Sequence, residues 1–433
     1  MFTRFEQGGQ QSDLDEAISL HRQALELQLP PHPNRSSSLN NLVSALSIRF
    51  KQGGQQSDLD EAISLHRQAL ELQLSPHPNR SSSLNNLASA LFTRFEQGGQ
   101  QSDLDEAFSL HRQSIELFLP PHPNRSSSGD LMDISKAISV QQKAIQLTLQ
   151  DHVYKALLLD NLGSSFFCCF EHTGNLADIS EAISAQQKAV HLTPDGDACM
   201  PARLNNLGLA FMRRFQCAED SSDISEAISV QQRAIHLTPE GHAEMSSRLN
   251  NLGLSLYYRF QHTGDHSDIS EAISNHQKAF HLTPEGHPSL PAILNNLGLS
   301  FISRFKRTRN QADISEAISV QQAAVDLTPE GRTDMPPFLH HLAVSLLHRF
   351  EHSGDPTDIS EAISVSREAL RLTPVGHADM PKRLINLGRS FECRYKSTND
   401  LTDIQTAISN YELAATCSSG PPSVRLKAAG QWG

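Results

Sequence analysis

Twenty-one histidines and six cysteines are the residues of this sequence with the most chemistry to offer. A metal site needs such ligands to converge on one point, usually at short spacing. Here they are strung out instead. His172, His262 and His352, and likewise His242, His287 and His377, recur at multiples of 45 residues. Cys168, Cys169, Cys199, Cys217, Cys393 and Cys417 contain no CxxC pair. Cys168 and Cys169 share a predicted helix with Phe166 and Phe170 and read as small buried hydrophobes. A catalytic reading needs a convergent constellation. The expectation is therefore no enzyme, no metal and no cofactor.

Two further rows invite chemistry. Arg49, Arg94, Arg214, Arg259, Arg304, Arg349 and Arg394 each precede an aromatic residue. They could hold phosphate or carboxylate, but their strict periodicity beside an Asp-Ile-Ser-Glu motif favours structural ion pairs. As surface pairs these would contribute roughly 0–1 kcal/mol each. Cys169 replaces the arginine in one copy, so that copy should be locally weaker. The second row consists of asparagines, whose amides both donate and accept.

The elements that position these rows follow from the period. The motif aspartate falls at Asp13, Asp58 and Asp103, then at Asp133, Asp178, Asp223, Asp268, Asp313, Asp358 and Asp403. Every step is 45 residues except the 30 between Asp103 and Asp133. Within one unit, Leu204, Leu207, Gly208, Phe211 and Phe215 trace one helical face, and the glycine allows a neighbouring helix to come close. Ile224, Ala227, Ile228, Gln231, Ala234, Ile235 and Thr238 trace a second. Asp223 reads as the N-cap of that second helix, with Glu226 completing a capping box. Pro239 and Gly241 end it. No segment sustains a two-residue alternation. Paired helices at a fixed period predict an all-α fold, an α-solenoid in which each pair borrows its core from its neighbours.

These residues resemble the tetratricopeptide repeat: Leu207-Gly208, an aromatic at Phe211, small residues at Ala227 and Ala234, and the closing Pro239. The likeness spans about residues 1–417 and implies a right-handed superhelix of helical hairpins. The 45-residue period exceeds the roughly 34 of the standard unit, and the resemblance places much of the excess in a longer turn between the paired helices. The wording also looks like long repeats of fungal proteins, where such arrays adjoin a caspase-like CHAT domain or an NTPase domain. No GxxxxGK[ST] stretch occurs in the sequence.

In that family the first helices line a concave groove. Carried over, the groove rows lie three residues before the Leu-Gly glycine, then one and four after it. The first row includes Asn205, Asn250, Asn295 and His340. The second includes Leu209, Leu254 and Leu299, and the third Met212, Tyr257 and Ile302. They imply a groove for a protein or peptide ligand, hence a non-enzymatic binding scaffold. The alternatives are a sensor array separated from a CHAT-like protease or an NTPase, and a cargo adaptor of the kinesin light chain type. The neighbouring row, Asn41, Asn86, Asn161, Asn206, Asn251, Asn296 and Asn386, is expected to link adjacent repeats.

The 433 residues carry a net charge of -12 and a pI near 5.9. That balance argues against nucleic acid or an anionic membrane as partner. No apolar run is long enough to span a bilayer. Scattered cysteines and the lack of a signal-like start suggest a cytoplasmic chain.

The short step before Asp133 corresponds to the loss of one first helix, the equivalent of residues 84–98. The missing leucines and phenylalanine would bury for roughly 6–12 kcal/mol. The expected organisation is a short block at 1–119, a faulted junction at 120–132, a main array at 133–417 and a truncated tail at 418–433. Ends without polar capping helices suggest self-association.

Overall fold

The fold was analysed in a computed structural model, which describes residues 11–28, 35–53, 55–72, 80–98, 100–116, 128–147, 153–329 and 331–432. The first ten residues, most of the junction at 120–132 and Gly433 lie outside these. Nineteen helices are seen among the described residues.

First helices of hairpins are α2 (Arg35–Gly53), α4 (Arg80–Gly98), α7 (Val153–Thr173), α9 (Met200–Ala218), α11 (Met245–Thr263), α13 (Leu290–Thr308), α15 (Met335–Ser353) and α17 (Met380–Thr398). Their partners are α3 (Gln56–Glu71), α5 (Gln101–Glu116), α8 (Leu176–Leu192), α10 (Ser221–His236), α12 (His266–Leu282), α14 (Gln311–Asp326), α16 (Pro356–Arg371) and α18 (Leu401–Thr416). The helices α1 (Gln11–Leu27) and α6 (Ser128–Leu147) are of the second type but have no described first helix before them, and α19 (Pro422–Trp432) follows α18. The fold is all-α, an array of tetratricopeptide-like hairpins. Its contacts fall into two compact units, 1–206 and 207–433. The junction expected at 120–132 lies within the first.

Two details of the hairpin differ from the sequence reading. The excess residues do not form a long turn. They extend the helices, which are joined by two residues such as Gly264-Asp265. The first of these takes a positive φ, as Gly264 does at 76°, where glycine is free of the Cβ clash. The second is the true N-cap. Asp220, not Asp223, caps α10, accepting a hydrogen bond from the Ser222 N–H. Asn175, Asp265, Asn310, Asp355 and Asp400 do the same in their hairpins.

Asp223 is released for another task. It sits in the first turn of α10, buried, and takes both bonds of the Arg214 fork at 2.7 and 2.6 Å. The same nine-residue bridge joins Arg49 to Asp58, Arg94 to Asp103, Arg259 to Asp268, Arg304 to Asp313, Arg349 to Asp358 and Arg394 to Asp403. The ion-pair expectation holds, but the pairs are not surface pairs, because the carboxylate end is buried. Arg49 and Arg94 also reach back to Asp15 and Asp60 of the preceding second helix. Where Cys169 stands, Asp178 is half-buried and, in place of a guanidinium fork, meets the Cys169 thiol and the Thr173 hydroxyl, the latter at 3.2 Å.

The Leu-Gly glycine lets the hairpin close. A Cβ at Gly298 would lie 2.5 Å from Gln321 Cγ, and Gly163 and Gly208 meet Gln186 and Gln231 at the same distance. In the second unit Ala343 stands where the other first helices have glycine, and the equivalent facing position holds the shorter Ser366.

Two substitutions test these contacts by urea denaturation. Arg304→Ala leaves the Asp313 carboxylate buried and unpaired and should destabilise the second unit by about 3–5 kcal/mol. Gly298→Ala should cost about 1–3 kcal/mol through overpacking, and adding Gln321→Ser should recover part of that loss.

Candidate ligand-binding face of the first helices

The asparagine rows are bonded sideways, from one first helix to the next. In the second unit Asn296 Nδ2 donates to Asn250 Oδ1 at 3.0 Å. His341 Nδ1 meets Asn295 Oδ1 at 2.9 Å, and Asn386 Nδ2 meets the His340 ring at 3.0 Å. In the first unit Asn206 donates to Asp160 at 3.4 Å. Each rung joins a groove-row residue to the neighbouring-row residue of the next hairpin. Asn296 and Asn386 thus link repeats as expected.

Burial grades the candidate residues. Asn205 and Asn250 are half-buried, whereas Asn295 and His340 are almost closed off. Leu209, Leu254 and Leu299 are half-buried. Met212 and Ile302 are buried, so that part of the third row is packing between helices. Tyr257 is half-buried beside Ser303, and burial pushes its phenol up from its ordinary value.

A further row, five residues after the glycine, was not singled out from the sequence. It reads Arg213, Tyr258, Ser303, His348 and Cys393, all on the second unit's first helices. Its neighbours one turn on include Gln216, Gln261 and Glu351. Arg213 donates to Gln216 at 2.8 Å, and Gln261 of α11 donates to Ser303 of α13 at 2.8 Å. Glu351 collects the Arg389 guanidinium at 2.6 Å and His348 Nδ1 at 2.9 Å. Burial would raise the Glu351 carboxyl, but these partners bring it down to about 2. Cys393, near Glu351, is pushed up to about 11, first by burial and then by that charge, so its thiol stays protonated. A cavity of about 480 Å³ opens along this row, lined by Arg213, Gln216, Tyr258, Gln261 and His262 among others. The signal was available: within the second unit this column changes residue type in every copy, beside an arginine column that does not.

Among the described residues no three His, Cys, Asp or Glu side chains are grouped to hold a metal ion. Also among them, no helix is long and apolar enough to cross a membrane.

Comparison with known proteins gives a fold-level likeness only. No family model matches the sequence, and no curated protein matches it. Solved structures do. A signal-transduction ATPase with a tetratricopeptide repeat sensor from Pyrococcus horikoshii aligns over 88% of this chain and 53% of its own, at 10% identity and a TM-score of 0.49. The human IFIT1 dimer with m7Gppp-AAAA aligns over 98% and 85%, at 14% identity and 0.44. A putative kinesin light chain with nearly identical TPR-like repeats from Podospora anserina aligns over 50% and 99%, at 14% identity and 0.37. Every one of these scores is below 0.5, so the hairpin geometry above carries the fold assignment.

Buried histidines make the second unit acid-sensitive. His276 is fully buried against Gly253 with neither ring nitrogen bonded, and burial pulls it down to about 3. Its folded pKa lies below the ordinary 6.5, so the unfolded chain takes up the proton first. Stability is intact above about pH 6.5 and falls as pH drops towards 3, by about 1.4 kcal/mol per unit. His276→Gln, the residue found at Gln231 and Gln321, should remove about 3 kcal/mol of acid destabilisation at pH 4.5. Urea midpoints between pH 7 and 4.5 that fall equally in both proteins would contradict this.

Proposed function

We propose that the chain is a non-enzymatic scaffold that binds an extended segment of a partner protein along the exposed face of its first helices. The observation that carries this is a division of labour within the repeat. Arginine, aspartate, the glycine contact and the core leucines recur from copy to copy. The half-buried face carries Arg213, Tyr258, His348 and Cys393 at one and the same position, where α13 has the buried Ser303. A constant frame with a varied face reads a sequence of side chains, one hairpin at a time.

The chemistry of the face supports a protein partner. Half-buried leucines alternate with amides, a phenol and charged groups, the mixture that gives a peptide both apolar contact and hydrogen bonds. The net charge of -12 opposes a polyanion. The sensor-array and cargo-adaptor readings use the same face and differ in what the array is attached to or carries.

The test begins with a partner captured by the full chain and narrowed to a synthetic peptide. Tyr258→Ala combined with Arg389→Ala should weaken that peptide at least tenfold by fluorescence anisotropy. Arg371→Ala, on the second helix α16, should leave it unchanged. Equal affinities for the two variants would refute the assignment.

A further inference from the structure

The first unit holds a cavity of about 320 Å³ between α2, α3 and α4. It opens on the same first-helix face, at rows that the second unit fills with larger side chains. Ser44 and Ser47 occupy the positions of Leu209 and Met212. Two small hydroxyl side chains thus replace two large apolar ones, and the space reaches down to the second helix. Val43, Phe50, Leu59 and Ala90 supply apolar wall, while Ser44, Ser47, Asn86 and Thr93 supply polar atoms.

An orphaned polar atom on a lining residue, and a second close by in sequence, mark it as more than a packing defect. His66 lines the cavity at only 5% exposure, and its Nδ1 is buried with no hydrogen-bond partner. Asn40 Oδ1 is likewise buried and unpartnered. The sideways rung seen elsewhere would pair Asn40 with Asn86, as Asn206 pairs with Asp160. Here that rung is open, and Asn86 faces the cavity. An unmet buried polar atom is destabilising unless a partner satisfies it.

We propose that this cavity is a pocket for a neutral aromatic hydroxyl, the tyrosine side chain of a bound partner. The ring would lie between Val43, Phe50, Leu59 and Ala90, and the hydroxyl would bond the His66 imidazole. A phenol both donates and accepts, so it suits either imidazole tautomer. No charged side chain lines the cavity among the described residues, which disfavours an ionised guest. Burial holds His66 down to about 4, so the ring is uncharged at neutral pH. The Ser44 and Thr93 hydroxyls already donate to Asn40 O and Ser89 O, which leaves their oxygens as acceptors. The size is at the lower end of the range for small-molecule sites, about 300–1,000 Å³.

The proposal rests on the first-helix face being the binding face, but its probe is a free small molecule. Failure would count against the pocket alone and leave the peptide test of the second unit standing. p-Cresol should bind the full chain saturably, with a Kd on the order of 1 mM, and shift the His66 imidazole nitrogen resonances. Toluene, which lacks the hydroxyl, should bind at least tenfold more weakly. Ser47→Met, which restores the Met212 type, should abolish binding with the helical circular dichroism unchanged, and Ser44→Leu should do the same should the first variant misfold. A p-cresol titration that leaves the His66 signals unmoved, toluene binding as tightly, or undiminished binding to a folded filled variant would each overturn the assignment.

Discussion

A carboxylate buried at a two-residue turn is the constraint on which the hairpin depends. The motif aspartate is out of water, and a lone buried carboxylate is costly. The arginine nine residues earlier meets it with two parallel bonds, a geometry that a point charge such as lysine does not reproduce. That fork fixes the end of one helix against the start of the next. Once the turn is set, the glycine near the middle of the first helix decides how near the helices come. Gln231 or Gln321 then fills the space where a Cβ would be. In the next hairpin Ser345 donates to Gln321 at 2.6 Å, so the same glutamine also sets the spacing between repeats.

The break before Asp133 shows this system working with a part removed. Gln141 of α6 accepts from Ser165 of α7 at 2.8 Å, the same bond that Gln321 and Ser345 make downstream. Entry into the regular array is therefore kept. On the other side, Ile145 of α6 and the fully buried Leu158 of α7 join Leu84, Leu87 and Leu91 of α4 in one apolar cluster. Apolar surface is indifferent to direction, so α4 accepts a substitute neighbour. The arginine–aspartate fork is directional, and among the described residues no first helix precedes α6 to supply one.

Most of the frame was legible because it repeats. The period, the helix faces, the close approach at Gly208 and the pairing of arginine with aspartate all follow from residues that recur at fixed spacing. The errors came where two local rules competed for one residue. Asp223 fits an N-cap by type and by its spacing to Glu226, yet the fork claims it, and Asp220 caps instead. The turn looked long because Glu219 and Asp220 belong to a polar stretch, although helix continues on both sides of them. The candidate face was less legible. Family analogy drew attention to asparagines that recur, and these bond sideways to their neighbours. Arg213, Tyr258 and His348 lie one residue beyond the third row and were overlooked because they do not recur.

The same geometry explains why titratable residues here form lines rather than clusters. Helices that pack side by side have axes about 8–10 Å apart. A histidine repeated once per hairpin therefore stays farther from its copy than the few ångströms that metal ligands or a proton relay require. Convergence arises only when neighbouring helices contribute different positions, as His348, Glu351 and Arg389 do, and there the groups satisfy one another. An array built this way gains specificity by adding weak contacts along its length. Its most distinctive places are then those where the copying rule lapses: the smaller Ser47 under an open rung, or Tyr258 beside Arg213.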